Sequence, residues 1–214
     1  MSAFYVAHTA GAHAGGDASF NSPSVDVGDF GIVVAAADHG NKLVDDATWD
    51  GVAMTLIRND RWAQASAAST AIFYIKEPAL GASVVTGDWG ETGIASVGVA
   101  IVAKGILLPD PVGNSYGAGL NGAGEAVSEL TSVELDALTF CIIGLETPAS
   151  INGDQTLLYD GAVGAMDFKV GYTQYGTGIP TVNTSWDWGG NYEGAHSAAV
   201  FQGGGGRRGM VGVF

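Results

Sequence analysis

The chain has 214 residues, of which 47% are hydrophobic and 14% are charged. This balance excludes a disordered protein, because disordered chains are poor in apolar residues and rich in charge. The net charge of -14, from 22 acidic and 8 basic residues, repels phosphate backbones and anionic lipid surfaces. We therefore expect no nucleic-acid partner and no membrane partner, and a chain long enough to bury a core without crosslinks.

Cys141 is the single cysteine, so no disulfide can form within the chain. It lies in an apolar run, which predicts a small buried side chain rather than a reactive thiol. The first residues lack a basic segment followed by an apolar core, so we expect no secretion signal and synthesis in a cytoplasm. No apolar run approaches the ~20 residues of a membrane-spanning helix.

Short apolar or alternating runs recur every ~8–15 residues and are bounded by Gly, Asp, Asn or Pro, a spacing typical of sandwiches and barrels. In chain order the predicted strands are 4–9, 30–37, 52–58, 71–76, 82–86, 94–103, 137–145, 155–159, 165–172, 181–188 and 197–201. The sequence therefore predicts an all-β protein. We expect an antiparallel β-sandwich, jelly-roll or Ig-like, with about 10–12 short strands.

Two turns are predicted to close hairpins. Asp50-Gly51 separates Thr48-Trp49 from an alternating run, and Asp-Gly suits a two-residue loop because both positions accept a positive φ. The segment 78–81, Pro-Ala-Leu-Gly, lies between the runs 72–76 and 83–86 and predicts a second hairpin.

The chain divides by composition into four parts. These are the front half of a β-sandwich (1–106), a Gly/Pro-rich loop or joint (107–124), a second β half in the same domain or as a second small sandwich (125–202), and a Gly-rich tail (203–214). The β halves open in loosely similar ways, with Val-Gly-Asp-Phe at 27–30 and Glu-Leu-Asp-Ala at 134–137. This similarity is a weak indication of an internal repeat.

No catalytic, cofactor or metal site is predicted. Residues 117–122 fit G-x-G-x-x-G, but a dinucleotide site needs that motif directly after a strand and at the start of a helix, and two prolines and a poor helix pattern flank it. The four histidines lack metal-site spacing, and the acidic residues form no calcium loop. No nucleophile elbow with triad partners in order is present.

The aromatic cluster Trp186, Trp188 and Tyr192 is the best local candidate for a glycan or partner contact. Trp186 and Trp188 are two residues apart, so they share one face of a strand. An exposed pair would form a platform for a sugar or an apolar side chain, whereas a buried pair would belong to the core. The sequence leaves both interpretations open.

The tail is a candidate docking segment through Arg207, Arg208, Val211 and Phe214. Four glycines form a spacer before the basic pair and the apolar residues that follow it. Such a segment could dock on a neighbouring subunit, and a frayed end is the alternative interpretation.

Several segments together resemble a sandwich domain found in structural proteins of tailed-phage virions and in bacterial surface proteins. Residues 28–35 resemble its G-D-L-L-V-V opening, 49–56 its next hairpin, and 71–85 its W-Y-x-x-N-P-x-x-G-x-x-x-V hairpin. Residues 94–103 and 178–186 are similar to later strands, while Glu77-Pro78 stands where that family has Asn-Pro. The resemblance implies a scaffold or adhesion role without catalytic residues.

The resulting hypothesis is a non-enzymatic virion protein. We expect a head decoration or spike protein that binds the capsid surface through subunit contacts, with other virion proteins and copies of itself as partners and an acidic outer face that keeps the particle soluble. The alternatives are a tail component and a carbohydrate-binding adhesion module that uses the aromatic platform.

Overall fold

A computed structural model describes residues 3–13, 15, 17–39, 44–62, 68–89, 94–108, 110–121, 124–131, 136–146, 151–175 and 181–204. The protein is all-β, with antiparallel sheets packed against each other, as the sequence predicted. No helix among the described residues is long and apolar enough to cross a membrane.

Nine strands form the first half of the chain. They are β1 (Phe4–His13), β2 (Ala18–Asn21), β3 (Phe30–Ala37), β4 (Thr48–Trp49), β5 (Val52–Ala53), β6 (Thr55–Arg61), β7 (Ser69–Ile75), β8 (Val84–Gly87) and β9 (Ser96–Lys104). One sheet has the order β1-β9-β3-β7-β6, and the other has the order β2-β8-β4-β5. If β5 and β6 are counted as one strand that bends from one sheet into the other, this half has eight strands. The first, eighth, third and sixth of them then pack against the second, seventh, fourth and fifth, which is the arrangement of a jelly roll.

Eight strands form the second half. They are β10 (Val112–Asn121), β11 (Glu125–Thr131), β12 (Leu138–Glu146), β13 (Ile151–Gly153), β14 (Thr156–Val163), β15 (Met166–Gln174), β16 (Thr181–Trp188) and β17 (Glu193–Phe201). Their sheets have the orders β10-β17-β12-β15-β14 and β11-β16-β13. This repeats the order of the first half strand for strand, without a counterpart of β5. The described residues thus form more strands than the sequence predicted.

The repeat extends to strand register. The edge strand β6 has a bulge between Leu56 and Arg58, and β14 has one between Leu157 and Tyr159, at the same place relative to the neighbouring strand. The first strand of each half is bulged as well, between Tyr5 and Ala7 in β1 and between Val112 and Asn114 in β10. The protein is therefore an internal duplication of one jelly roll.

The sequence indicated a repeat that aligns residues 27–30 with 134–137. In the structure, the equivalent residues of the second half lie one position later in the chain. Gly28 and Asp136 each precede the first residue of the third strand by two positions, and both have a positive φ, 83° and 66°. Phe30 and Leu138 then occupy equivalent positions, opposite Ala103 and Phe201.

The four sheets stack as layers with a core in each interface. The central core lies between the two five-stranded sheets and joins the halves through residues such as Ile32, Ile101, Phe140 and Phe168. Each five-stranded sheet also packs on its own smaller sheet. Because both faces of the central sheets are covered, β3 is buried along its whole length, which explains its continuous apolar run.

The two predicted turns have different outcomes. Asp50 and Gly51 have φ values of 52° and 75° and connect β4 to β5 in a two-residue hairpin, as predicted. The segment 78–81 closes no hairpin, because β7 lies in the five-stranded sheet and β8 in the smaller one. It carries the chain from one layer to the other, with Gly81 bridged to Val25.

The segment 107–124, expected to be a loop or joint, contains the strand β10. Only a short stretch after β9 links the two jelly rolls, and Ile106 in it is bridged to Gly203. A Gly-rich composition suggested a loop here, but Gly117 and Gly119 of β10 allow close packing against β6 of the first jelly roll.

Candidate functional site

A polar network, buried except for the partly exposed side chain of Arg58, joins the two jelly rolls beside the central core. Arg58 in β6 makes two hydrogen bonds of 2.7 Å to the carboxylate of Asp60, and its Nη2 donates to the carbonyl of Gly117 in β10 at 2.9 Å. The hydroxyl of Ser197 in β17 donates to Asp60 Oδ2 at 2.6 Å and lies 2.8 Å from the hydroxyl of Thr70. We call these five residues the seam network.

Two glycines of the G-x-G-x-x-G stretch face this seam. A Cβ at Gly117 would overlap the side chains of Asp60 and Arg58, and a Cβ at Gly119 would overlap the backbone of Arg61. The motif therefore lies within a strand that approaches β6 closely, and no helix follows it among the described residues. Its glycines fit inter-sheet packing rather than a pyrophosphate.

Ser197, His196 and Asp60 have the composition of a catalytic triad but not its geometry. Consecutive residues of a strand point to opposite faces, so the side chains of His196 and Ser197 diverge. Burial, together with the charge of Arg58, lowers the pKa of His196 to about 4. The arrangement fits a structural link better than a nucleophile with an adjacent base.

Cys141 is fully buried in the outer core of the second jelly roll, as the sequence predicted. Burial raises the pKa of its thiol, and the nearby charge of Asp154 acts in the same direction. The thiol lies 3.5 Å from the carbonyl of Gly171, to which it donates. Within the described part of the chain, no group of three or more His, Cys, Asp or Glu side chains is placed to hold a metal ion.

The aromatic cluster lies mainly inside the protein. Trp186 is 0% exposed and Trp188 is 4% exposed, and both belong to the outer core of the second jelly roll. Tyr192 is partly buried and packs against the same core. The two tryptophans share one face of β16, as the sequence indicated, but that face is the buried one. Of the two interpretations that the sequence allowed, the structure has the core packing.

An apolar cleft lies at one end of the first jelly roll and has a volume of about 370 Å³. It forms where β3 begins and where β7 and β9 end, because neighbouring antiparallel strands bring these termini to one edge. Its lining consists of Gly28, an apolar set and four charged residues: Val27, Phe30, Pro78, Leu80, Ile106 and Leu108, with Asp26, Asp29, Lys76 and Glu77. We call this feature the apolar cleft.

Acidic residues form one side of the apolar cleft. The backbone N–H of Asp26 donates to Asp29 Oδ2 at 2.8 Å, which holds the turn before β3. Lys104 Nζ lies 3.3 Å from the buried Asp29 carboxylate and 3.5 Å from the exposed Asp26 carboxylate. The ion pair with Asp29 raises the pKa of Lys104, and the contact with Asp26 acts in the same direction. The outer carboxylates of Asp26 and Glu77 are open to solvent.

The predicted docking residues Arg207, Arg208, Val211 and Phe214 lie outside the described residues. The described chain ends at Gly204, whose N–H donates to the carbonyl of Gly105 at 2.7 Å.

Sequence reasoning did not find the seam network or the apolar cleft. Arg58 and Asp60 are two positions apart on one strand, which places them on the same face. No local pattern identifies Ser197, 137 residues after Asp60, as their partner. The three exposed apolar side chains of the cleft, on Val27, Leu80 and Leu108, are separated along the chain and gather only in the fold.

Comparison with known proteins found no matching family and loose likenesses to solved structures. No family model matches the chain, and no curated protein matches it. The crystal structure of the STIV MCP, a viral major capsid protein, is 7% identical with a TM-score of 0.26, covering 92% of this chain and 97% of that chain. The PBSX exported protein XepA is 9% identical with a TM-score of 0.22, covering 92% and 86%. Neither likeness carries an argument about the fold or the role of this chain.

Proposed function

We propose that the protein is a non-enzymatic structural component of a tailed-phage virion, and specifically a head decoration or spike protein. The observation that carries this proposal is the apolar cleft at one end of a duplicated jelly roll. There Val27, Leu80 and Leu108 are 84%, 65% and 50% exposed. Apolar side chains gathered on a rigid block, with a charged rim, are typical of a surface that is covered by a partner.

The architecture supports a structural role. Two jelly rolls share a continuous central core, and the seam network adds a buried polar contact between them. Jelly rolls occur in viral capsid proteins, in lectins and in cupins, so the fold supports a virion role by analogy. The net charge of -14 would keep a particle surface soluble.

The buried reactive groups also favour a non-enzymatic role. The thiol of Cys141 and the ring of His196 are enclosed, and burial shifts the pKa of each toward its uncharged form. The glycan-binding alternative draws no support from Trp186 and Trp188, because neither presents a face to solvent. A tail component remains the alternative position in the virion.

Particle proteomics and imaging test this proposal. Purified virions from a phage that encodes the chain are analysed by mass spectrometry, and the chain carrying a small tag is then located on them by electron microscopy. Regular labelling of the head supports decoration. Labelling confined to the tail overturns the decoration role in favour of a tail component, and a chain missing from the particles overturns the virion role altogether.

A further inference from the structure

The duplication gives the molecule two equivalent edge strands, β1 in the first jelly roll and β10 in the second. Each lies at the edge of its five-stranded sheet. Ala10 of β1 pairs with Val99 of β9. Gly117 of β10 pairs with Ser197 of β17. These two partners face equivalent positions of β3 and β12, so Ala10 is the counterpart of Gly117.

The two edges differ in what lies beside them. β10 runs against β6, where Arg58 donates to the carbonyl of Gly117 and the seam network closes the contact. β1 lies at the opposite edge of the sheet that contains β6, and β14 is the edge strand next to it in the facing sheet. Ala10 and Ala12 of β1 are exposed there, and among the described strands β1 pairs with β9 alone. We call the surface formed by β1 and β14 the open side.

On the open side, uncharged residues occupy the positions that the seam network fills on the other side. The strand registers place Tyr159 at the position of Arg58. They place Gly161 at the position of Asp60, and Val99 at that of the seam serine. The open side therefore lacks the charged pair that links β6 to β10.

The open side combines exposed apolar side chains with little charge. Phe4 and Val6 of β1 are 39% and 40% exposed, and Leu157 of β14 is 45% exposed. β1 contains no Asp, Glu, Lys or Arg, and the carboxylate of Asp160 in β14 is paired with Lys169 at 2.6 Å. Charged side chains and prolines commonly protect an edge strand against pairing with another chain, and β1 has neither.

β1 is also a fixed edge. The ring of Tyr5 stacks on that of Tyr172 in the second jelly roll, with centroids 4.7 Å apart. The hydroxyl of Thr9 donates to the carbonyl of Asn21 in β2, a strand that pairs with β8 and lies over the face of β1 rather than along its edge. A strand held in this way binds a partner at a small cost in conformational entropy.

A second copy of the chain is the partner that these observations favour. Within one molecule, the equivalent edge β10 is covered by a strand of a related jelly roll, and a second copy supplies such a jelly roll. Each copy carries a net charge of -14, so two copies repel one another except where their uncharged surfaces meet. Twofold contact of β1 with β1 provides that match, because a strand can pair antiparallel with its own copy.

We propose that two copies of the chain pair through β1, antiparallel about a twofold axis, so that their five-stranded sheets form one continuous sheet. The bulge between Tyr5 and Ala7 leaves the regular run 7–13 for the pairing, with Ala10 at its centre. The axis also brings the two β14 edges together, so that Leu157 is covered. No residue that lines the apolar cleft lies on β1 or β14, so the paired chains keep the cleft open. The pairing does not depend on a virion role.

Analytical ultracentrifugation of the full chain measures the pairing. A strand edge with few large side chains is smaller than a standard interface, so we expect a monomer–dimer equilibrium with a dissociation constant of about 10–100 μM. Added salt is expected to strengthen the dimer, because it screens the repulsion between the two acidic copies. A chain that stays monomeric up to about 500 μM at moderate salt overturns the proposal.

A lysine placed on the edge distinguishes β1 from other surfaces. Ala10→Lys puts two like charges at the centre of the twofold contact, and we expect it to weaken the dimer at least about tenfold. The control is Ala53→Lys, since Ala53 is also exposed on an edge strand, β5, and the change in net charge is the same. Leu80→Lys tests the apolar cleft in the same way. A dimer that Ala10→Lys leaves unchanged, or that Leu80→Lys weakens instead, overturns the assignment to β1.

Disulfide trapping tests the twofold geometry without weakening the contact. Ala10→Cys places a thiol close to its own copy, since opposite residues of antiparallel strands have Cα atoms ~4.5–5.5 Å apart, within the span of a disulfide. Cys141 is buried, so its thiol does not compete. With oxidised glutathione, we expect Ala10→Cys to form a disulfide-linked dimer about tenfold faster than Ala53→Cys. Equal rates, with a circular dichroism spectrum like that of the wild type, overturn the twofold pairing.

Discussion

The hydroxyl of Ser197 donates a 2.6 Å hydrogen bond to the carboxylate of Asp60, which joins a strand of the second jelly roll to an edge strand of the first. Ser197 is fully buried, and the guanidinium of Arg58 binds both oxygens of the same carboxylate. This contact supplies a buried directional link beside the apolar central core. Such a link fixes the position of one sheet relative to the other, because an apolar interface alone tolerates small displacements.

Replacing Asp60 by Ala is expected to lower the free energy of unfolding by about 2–4 kcal/mol, because Arg58 and Ser197 lose a buried partner. The matched control is Asp160→Ala. Asp160 lies in the equivalent edge strand β14 and pairs with Lys169 while its own side chain is 52% exposed, so a loss of at most about 1 kcal/mol is expected. Urea denaturation measures both, and equal losses would contradict a special role for the seam network.

Gly119→Ala is expected to destabilise the protein by about 1–3 kcal/mol, because the added Cβ would overlap the backbone of Arg61, which cannot rotate away as a side chain can. Gly189→Ala is the control, since nothing lies within 4 Å of a Cβ there. Its effect should stay within about 0.5 kcal/mol. Thermal unfolding followed by circular dichroism compares the two, and a neutral Gly119→Ala would show that β10 and β6 do not need this close approach.

The stability of the protein should fall on acidification through His196. The folded pKa of His196 is about 4, below the ordinary value of 6.5, so between these values the unfolded chain binds more protons than the folded one. The contribution of the buried, uncharged His196 ring to the free energy of unfolding is complete above about pH 6.5 and is lost as the pH falls toward 4. Its magnitude is up to about 3 kcal/mol.

Urea denaturation at pH 7 and pH 4.5 of the wild type and of His196→Gln measures this contribution as a difference in pH dependence. The comparison is needed because burial raises the pKa of Asp38 and of Asp167, which acts on stability in the opposite direction. Identical pH dependences of the two proteins would show that His196 does not contribute in this range.

Cys141 is expected to resist alkylation by iodoacetamide at pH 8 in the folded protein and to react fully in denaturant. The thiol is enclosed by the outer core, and its pKa is raised, so the thiolate is scarce. Intact mass spectrometry counts the adducts. Rapid modification of the folded protein, with an unchanged circular dichroism spectrum, would contradict the burial of this strand.

The sequence by itself determined the all-β class, the Asp50-Gly51 hairpin and the burial of Cys141. Each of these follows from local chemistry. Alternating apolar runs with frequent glycines favour short strands, Asp-Gly accepts the two positive φ values of its turn, and a small thiol in an apolar run belongs in a core. None of them requires knowledge of which strands are neighbours.

Only the tertiary structure decided the duplication, the seam network and the fate of the aromatic pair. The period of a strand shows that Trp186 and Trp188 share a face, but whether that face meets solvent depends on a sheet formed by distant residues. Likewise, the sequence around Gly117 and Gly119 suggested a loop. These glycines allow β10 to approach β6, a strand about 60 residues earlier in the chain, and no local pattern shows that approach. Strand pairing and layer stacking join residues remote in sequence, and a local pattern cannot specify its partner.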